Sequence, residues 1–317
     1  MGIPASKGLR EHIRRTLLYY DIFRHPLTAH ELFTLLSMNS LSREQFMGEL
    51  DSLVEEGVVS FAKGYYSVLP GPAPADLRME REQLAVRRIR IARFFARIIR
   101  MFPFVRGIFV SGDLSKGVAV PESDIDYMIV TAPGRLWICR TLLILFKKAF
   151  LLNKKKYFCL NYFISSDHLC LDDRTYYSAT EVAHLKPLDN TGLYLRFMNA
   201  NAWVRKFFPN YRVYALPQWK HTDRAKFFQK IPEAFFLLLP SDRLDRWLME
   251  RMNRLWTTRY PQYDTSTRER LFRCTPTESS AYAGNFSDKV LAIYAEKLAR
   301  AGLSFGQPGL TAETGLK

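Results

Sequence analysis

Hydrophobic and polar positions in the first part of the chain follow the period of a helix. Residues 9–24 predict an amphipathic helix. Thr28 is a suitable N-cap for a second helix over about 29–37. A third helix is predicted after Ser42 and ends at Gly57. The N-terminal part is therefore expected to hold three short helices.

A pattern typical of strands replaces the helical period in residues 58–69. This stretch predicts a two-stranded ribbon that turns at Lys63-Gly64. Three helices followed by such a ribbon resemble a winged helix, and the match covers residues 9–69. The resemblance implies a domain over 1–70 that binds nucleic acid or a partner protein.

The charges on the predicted third helix bear on the choice between those partners. Arg43 alone opposes its acidic side chains, which are Glu44, Glu49, Asp51, Glu55 and Glu56. A net negative helix is a poor match for a phosphate-lined major groove, so a structural or protein-docking role is favoured. Four basic residues on the first helix and in the ribbon are the alternative candidates for contact with nucleic acid: Arg10, Arg14, Arg15 and Lys63.

Residues 71–102 are interpreted as a linker followed by an arginine-rich helix. The composition of residues 70–76, PGPAPAD, is typical of a linker. Apolar residues then recur at helical spacing to about residue 102. A row of arginines occupies a neighbouring face: Arg90, Arg93, Arg97 and Arg100. Two interpretations stand, a solvated flank or a track for backbone phosphates beside an active site.

Beyond residue 102 the pattern divides the chain into a strand-containing part over 103–178 and a mainly helical part over 179–317. The first part has three stretches of strand character, at 108–110, from 124 to about 130, and at 156–165. A longer apolar stretch predicts a core helix over 136–152. The second part has three aromatic-rich helical segments, near 191–208, 232–258 and 286–301. A loose tail is expected from about residue 304.

Composition and charge narrow the class of protein. The 317 residues carry a formal net charge of +15, which suits a polyanionic ligand such as a nucleotide or nucleic acid. The four cysteines show no CxxC pair, so neither a zinc site nor a disulfide framework is expected. The sequence starts without the apolar region of a secretory signal, and charges interrupt its longest apolar stretch. We therefore expect a cytoplasmic protein with no membrane partner.

Two aspartates open the strand predicted from residue 124. Residues two apart in a strand point to the same face, so Asp124 and Asp126 project together, while Ile125, Tyr127 and Ile129 point the other way. Two unpaired buried carboxylates would be strongly unfavourable. A divalent cation between them removes that penalty, and hard oxygen ligands suit Mg²⁺. The pair therefore predicts a metal site.

A turn suited to phosphate precedes this pair. The strand at 108–110 leads to Gly112, and residues 113–117, DLSKG, predict a short helix. Backbone N–H groups at a helix start bind phosphate, and a glycine there lets the phosphate approach. Such a turn, followed about a dozen residues later by paired carboxylates, predicts a site for a nucleoside triphosphate with Mg²⁺.

This segment resembles the polymerase-β-type nucleotidyltransferase superfamily and, within it, the minimal nucleotidyltransferases. Their signature is Gly-Ser, a small helix, and then a Ser-Asp-hydrophobic-Asp strand. The corresponding residues here are Gly112, Asp113, Lys116 and Gly117, followed by Ser123, Asp124, Ile125 and Asp126. The resemblance covers about residues 103–165.

The resemblance implies an α+β fold, with a small mixed-sheet core between the winged helix and a mainly α-helical C-terminal domain. It also implies transfer of a nucleoside monophosphate from an NTP, such as ATP, to an acceptor hydroxyl. Asp124 and Asp126 would bind two Mg²⁺ ions, or one ion if the site is weakened. The residues expected around the phosphates are Ser111, Gly112, Asp113, Lys116 and Ser123.

The chain departs from the family pattern at two positions. Asp113 replaces the motif serine. It is a good helix cap, but at about 4 Å and an effective dielectric near 20 each like-charge pair with phosphate costs on the order of 4 kcal/mol. Lys116 or a metal ion would reduce that cost, and Ser111 offers a hydroxyl one residue early.

The second departure lies in the following strand. Asn161 takes the position of the third carboxylate, where an amide cannot act as a base. Four side chains are predicted to share the face of that strand: Tyr157, Cys159, Asn161 and Phe163.

Several functional alternatives stay open at the level of sequence. The leading hypothesis is a Mg²⁺-dependent nucleotidyltransferase whose acceptor is a protein, a small hydroxylated molecule or RNA. The alternative is a catalytically weakened relative that acts as a nucleotide-binding, regulatory or DNA-binding protein. Arg135, at the start of the helix after the carboxylate strand, is either a phosphate ligand or a surface residue.

Overall fold

A mixed five-stranded sheet with helices on both faces is the centre of the computed structural model. The structure describes residues 5–38, 42–152, 156–213, 223–282 and 284–304. Within these ranges the strands are β1 (Ser60–Ala62), β2 (Tyr65–Ser67), β3 (Val105–Ser111), β4 (Asp126–Thr131), β5 (Cys159–Ser165), β6 (Lys186–Asp189) and β7 (Glu278–Ser280). The expected α+β class is confirmed.

The helices are mostly short, and one of them is long. In chain order they are α1 (Ala5–Asp21), α2 (Ala29–Thr34), α3 (Arg43–Glu55), α4 (Ala73–Arg100), α5 (Gly112–Ser115), α6 (Leu136–Phe150), α7 (Tyr176–His184), α8 (Thr191–Ala200), α9 (Val204–Phe207), α10 (Asp223–Leu237), α11 (Ser241–Arg259), α12 (Thr265–Leu271) and α13 (Phe286–Arg300). None of these described helices is both long enough and apolar enough to cross a membrane.

The sheet order is β6-β3-β4-β5-β7. β4 and β5 run parallel and are joined through α6, whereas the other neighbours are antiparallel. In this register Asp126, the first residue of β4, lies between Ser111 of β3 and Cys159 of β5. The C-terminal end of β3 and the N-terminal ends of β4 and β5 therefore lie side by side, with Asp126 in the middle.

The N-terminal helices and ribbon form where the sequence predicts them. Thr28 and Ser42 cap α2 and α3, each in a reciprocal pair with the residue three positions later. β1 and β2 pair antiparallel around Lys63-Gly64, both with positive φ, as a tight two-residue hairpin turn requires. The main difference is that α2 ends at Thr34 rather than near residue 37.

Two hydrophobic cores lie on opposite faces of the sheet. One joins α1, α2 and α3 to α7, α8 and α13 over the face that carries Phe109, Met128 and Ile164. The other joins α4, α6 and α11 over the face that carries Ile108 and Ile129. The N-terminal helices therefore share a core with one face of the central sheet.

The C-terminal part is mainly helical, as expected, but contributes two strands to the sheet. Helices α8, α10, α11 and α13 cover the three aromatic-rich segments, and the middle segment is divided next to Pro240. β6 and β7 pair with β3 and β5 at the two sheet edges. Both are short and lack an alternating pattern, so their pairing partners rather than local preference make them strands. The loose tail expected from about 304 lies, from residue 305 onward, outside the described residues.

Candidate functional site

A cavity of about 760 Å³ opens over the sheet face covered by α7 and α13. Pockets of about 300–1,000 Å³ hold small-molecule ligands and cofactors. Eight of the expected site residues line it: Ser111, Gly112, Asp113, Lys116, Ser123, Asp124, Asp126 and Asn161. The end of β3, the start of β4 and the strand β5 thus meet in a cavity of ligand size.

The two aspartates share one face, as their spacing predicts. Asp126 begins β4 and Asp124 lies just before it, and both line the cavity. Ile125, Tyr127 and Ile129 are fully buried on the other side, in the core formed with α4 and α6. The alternation therefore places two carboxylates in the cavity while their apolar neighbours anchor the strand.

Gly112 makes room for the Asp126 carboxylate. A β-carbon built at position 112 would lie 2.7 Å from Asp126 Oδ2, closer than nonbonded atoms approach. The residue also has a φ of +66°, in the left-handed region that favours glycine. Any side chain at this position would displace the carboxylate or the turn, so the glycine is required by both shape and backbone conformation.

The carboxylates create an excess of negative charge in the cavity. Burial chiefly raises the pKa of Asp126 to about 7. A hydrogen bond with Cys159 opposes that rise, and the carboxylates of Asp124, Glu181 and Asp113 add to it. A cation bound beside Asp126 would therefore stabilise the ionised form of this carboxyl group.

A magnesium ion fits this donor set when substrate completes its coordination. Among the described residues no group of three or more His, Cys, Asp or Glu side chains is placed to hold a metal ion. Mg²⁺ is often bound by one or two carboxylates together with substrate phosphates and water. Asp124 and Asp126 would be the protein ligands in that arrangement.

Two cationic side chains, Lys116 and Arg81, line the cavity together with Asp113. The Lys116 ammonium lies 2.6 Å from Glu181 Oε1 on α7. Arg81 of α4 also lines the cavity, and the Asp113 carboxylate acts on its guanidinium electrostatically. Arg81 donates hydrogen bonds to the carbonyls of Phe23 and Arg24. Arg81 of α4 is therefore a second cation in the wall that carries Asp113.

Ser123 closes the loop that leads to the carboxylates. Its hydroxyl oxygen accepts a hydrogen bond from the Val120 N–H at 3.1 Å. The buried guanidinium of Arg88 donates to the Ser123 hydroxyl at 3.0 Å and to the Pro121 carbonyl at 2.6 Å, and also to the Ser123 carbonyl. Arg88 on α4 therefore holds the residues directly before Asp124 in place.

A bulge in β5 changes the face that was predicted for that strand. Met128 pairs with Tyr162 although Tyr127 pairs with Leu160, so Asn161 is an extra residue. Asn161 and Tyr162 both line the cavity, whereas Phe163 lies in the core on the opposite face. The prediction that Phe163 shares a face with Asn161 was wrong, because period-two reasoning fails across a bulge.

Arg135 lies outside the cavity. Its guanidinium forms an ion pair with Asp242 of α11 and donates to the Gly134 carbonyl. The structure thus ties the start of α6 to α11 and does not bring Arg135 to the expected phosphates, which agrees with the alternative of a structural surface residue.

The basic residues considered for nucleic-acid contact are engaged within the chain. Arg10 pairs with Glu49 and Glu56 of the α3 region. The others also have partners: Arg14 with the Ala301 carbonyl, Arg15 with Glu11, and Lys63 with Asp76. On α4, Arg90, Arg93 and Arg97 are exposed and do not line the cavity, and Arg100 pairs with Asp189.

The cavity also contains residues that sequence reasoning missed. They come from distant segments and include Arg81, Glu181, Glu278, Ser280 and Tyr282. No local motif marks them, because they reach the cavity through α7, through β7 and through the packing of α4. The β7 pair, Glu278 and Ser280, is buried and borders β5.

Comparisons with protein-family models, with curated proteins and with solved structures give no significant match to this chain.

Proposed function

We propose that this protein is a Mg²⁺-dependent nucleotidyltransferase that transfers a nucleoside monophosphate from an NTP to an acceptor hydroxyl. In this proposal the central sheet is a nucleotidyltransferase core. The N-terminal helices and ribbon form a winged helix, and the chain beyond the core forms a mainly helical C-terminal domain.

The observation that carries the proposal is the approach of Gly112 to Asp126. A turn without a side chain lies against the half-buried carboxylate of Asp126, and a second carboxylate, Asp124, lines the same cavity. Paired carboxylates beside a backbone that a phosphate can approach are suited to a metal–triphosphate complex. The cavity volume of about 760 Å³ leaves space for a nucleotide together with a small acceptor.

Each residue has a role in this proposal. Asp124 and Asp126 would hold Mg²⁺, which when bound stabilises charge on the attacking and leaving oxygens. The phosphates would lie along the turn at Ser111 and Gly112. Arg81 offsets the charge of Asp113, which stands where the motif has serine.

The proposed reaction is an in-line displacement at phosphorus. The acceptor oxygen forms a bond to the α-phosphorus, and the bond from that phosphorus to the oxygen bridging it to the β-phosphate breaks. Pyrophosphate leaves with the electron pair of the broken bond. The proton of the acceptor hydroxyl passes to water, because Asn161 at the third position has no basic group.

Pyrophosphate release from each of the four NTPs, with and without Mg²⁺, tests the proposal. Slow hydrolysis or transfer to water is sufficient for detection, so the acceptor need not be known. We expect Mg²⁺-dependent release that Asp126→Asn abolishes. Release that persists in Asp126→Asn, or that does not need a divalent cation, would contradict it.

A catalytically weakened nucleotide-binding protein is the second candidate. Two observations favour it, the aspartate at position 113 and the amide of Asn161 in the cavity. Binding of Mg²⁺–NTP that Asp124→Ala removes, without any pyrophosphate release under the same conditions, is the result that distinguishes it from the transferase.

A further inference from the structure

Strand β7 forms a second polar region of the cavity, away from the predicted motif. It runs antiparallel to β5, with Ser280 opposite Tyr162 and Glu278 opposite Ile164. Residues two apart in a strand point to the same face, and Glu278 and Ser280 both line the cavity. Ser279, between them, does not line it.

The polar groups of this region are buried, and their hydrogen bonding is incomplete. Glu278 is 5% exposed and accepts a hydrogen bond from the Tyr162 hydroxyl. Ser280 is 1% exposed, and within the described part of the chain nothing hydrogen-bonds its hydroxyl. The Asn285 Oδ1 at the cavity wall also has no partner there. Since buried polar groups are nearly always paired, Ser280 Oγ and Asn285 Oδ1 have hydrogen-bonding capacity that a ligand in the cavity can use.

Two arginines, Arg270 and Arg273, also line the cavity, and Arg270 pairs with Asp288 rather than with Glu278. In the described ranges no lysine, arginine or histidine forms a salt bridge with Glu278, and burial raises the pKa of this carboxyl to about 7. The polar groups available to a ligand beside β7 are therefore hydroxyls, a carboxyl and an amide. A ligand hydroxyl both donates and accepts, so it can satisfy all three kinds of group.

Aromatic rings line the same cavity, although Tyr282 is 40% and Phe286 53% exposed. The rings of Tyr162 and Tyr282 lie 6.5 Å apart between centroids, and those of Tyr177 and Phe286 lie 6.1 Å apart. All four residues line the cavity. Aromatic ring faces beside groups that bind hydroxyls suit a molecule that carries hydroxyl groups as well as apolar C–H groups.

Tyr282 connects this region to the carboxylate pair. Burial, followed by the carboxylates of Glu181, Asp126 and Glu278, raises the pKa of its hydroxyl. Both Asp126 and Glu278 therefore act on one side chain. Asp126 and Glu278 line the same cavity, so a molecule bound beside Glu278 would share it with a nucleotide bound beside Asp126.

We propose that Glu278, Ser280 and Tyr162 form the acceptor subsite and that the acceptor is a small, neutral, hydroxyl-rich molecule, a sugar or polyol. This inference rests on the proposed transferase function, because it names the molecule that receives the nucleotidyl group. An anionic acceptor is disfavoured because, among the described residues, seven Asp or Glu side chains line the cavity against four Lys or Arg side chains. A polymer is disfavoured because Glu278 and Ser280 are almost fully buried.

Saturation-transfer NMR on the full chain tests the subsite directly, with glucose, ribose and myo-inositol as probes at millimolar concentration. The chain offers a matched pair of variants, Ser280→Ala and Ser279→Ala. Both remove a buried hydroxyl without a partner from adjacent positions of β7, but only Ser280 faces the cavity. We expect at least one probe to bind, and Ser280→Ala to weaken that binding by roughly threefold to tenfold, the effect of one hydrogen bond. Ser279→Ala is expected to bind as the unmodified protein does.

Three results would overturn the subsite. They are no saturation transfer from the folded protein to any probe, equal losses in the two serine variants, or undiminished sugar binding in Glu278→Ala. Binding of Mg²⁺–ATP is measured separately on the same samples by calorimetry. Nucleotide binding without sugar binding rejects the subsite alone, whereas sugar binding without nucleotide binding rejects the proposed function and leaves a hydroxyl-binding cavity.

Discussion

Lys116, directly after α5, and Glu181 of α7 form an ion pair across the cavity at 2.6 Å. Lys116 is the cation that the motif would place near phosphate, and the structure has it paired with a carboxylate. Glu181 also adds to the negative potential that raises the pKa of Asp126, after burial and Asp124. This carboxylate therefore opposes an incoming triphosphate in two ways.

Glu181→Gln is expected to strengthen the binding of Mg²⁺–ATP. The change frees the Lys116 ammonium and removes one negative charge from the cavity, so we expect affinity to rise by roughly tenfold, which corresponds to about 1.4 kcal/mol. Isothermal titration calorimetry at fixed Mg²⁺ measures it. Glu80→Gln, on the exposed side of α4, is the control for the loss of one charge. Unchanged or weaker binding in Glu181→Gln contradicts this role of the ion pair.

Gly112→Ala is expected to abolish nucleotide binding, because the new methyl group would meet Asp126 Oδ2. Gly117→Ala is the matched control, since Gly117 has a φ of +77° but its β-carbon would meet only the Lys186 ammonium, at 3.8 Å. Both variants should lose about 1–2 kcal/mol of stability from a left-handed alanine, as urea unfolding measures. Only Gly112→Ala should lose Mg²⁺–ATP binding, and equal binding by the two variants would refute the close approach.

Arg88→Met is expected to impair both stability and nucleotide binding. The change leaves the Pro121 and Ser123 carbonyls without their buried donor, at a cost of about 1–3 kcal/mol for such groups. The loop before Asp124 then loses its anchor, so affinity for Mg²⁺–ATP should fall as well. The neighbouring exposed Arg87 provides the control, and Arg87→Met should behave as the unmodified protein in urea unfolding and calorimetry. Normal affinity in a destabilised Arg88→Met would show that Arg88 supports the fold but not the site.

Acid is expected to destabilise the fold through His184. Burial chiefly, and then the Lys116 ammonium, lowers the pKa of His184 to about 4, against the effects of the Thr180 carbonyl, Glu181 and Glu31. A histidine with a lowered folded-state pKa leaves stability unaffected above pH 6.5 and reduces it as pH falls from about 6.5 to 4. Each pKa unit of difference corresponds to about 1.4 kcal/mol.

Urea unfolding between pH 7.5 and pH 4 measures this dependence. His184→Gln keeps a neutral hydrogen-bonding side chain and should make the acid side of the curve less steep, while buried His25, whose pKa burial also lowers, still contributes to it. If His184→Gln shows the same slope as the unmodified protein, the acid sensitivity does not come from this imidazole.

The sequence allowed the strand that begins at Asp126, the turn at Gly112 and the N-terminal helices to be predicted, although the strand was expected to begin two residues earlier, at Asp124. These features depend on local spacing, on caps and on a glycine conformation, all of which neighbouring residues encode. The alternation of Ile125, Tyr127 and Ile129 against the aspartates is of the same kind.

The rest of the cavity depends on contacts between distant segments. β7 is three residues long, Glu278–Ser280, and becomes a strand because it pairs with β5. The bulge at Asn161 reverses the face of Phe163, and a single inserted residue leaves no local signal. Arg81 lies near Asp113 only because α4 packs against the site. Such long-range placements do not follow from periodicity.

The most direct test of the central claim is calorimetric titration with each of the four NTPs, with and without Mg²⁺, alongside Asp124→Ala. The account predicts that at least one NTP binds only when Mg²⁺ is present and that Asp124→Ala removes this binding. No binding of any NTP by the folded protein, or equal binding by Asp124→Ala, would contradict the claim that this cavity is a metal-dependent nucleotide site.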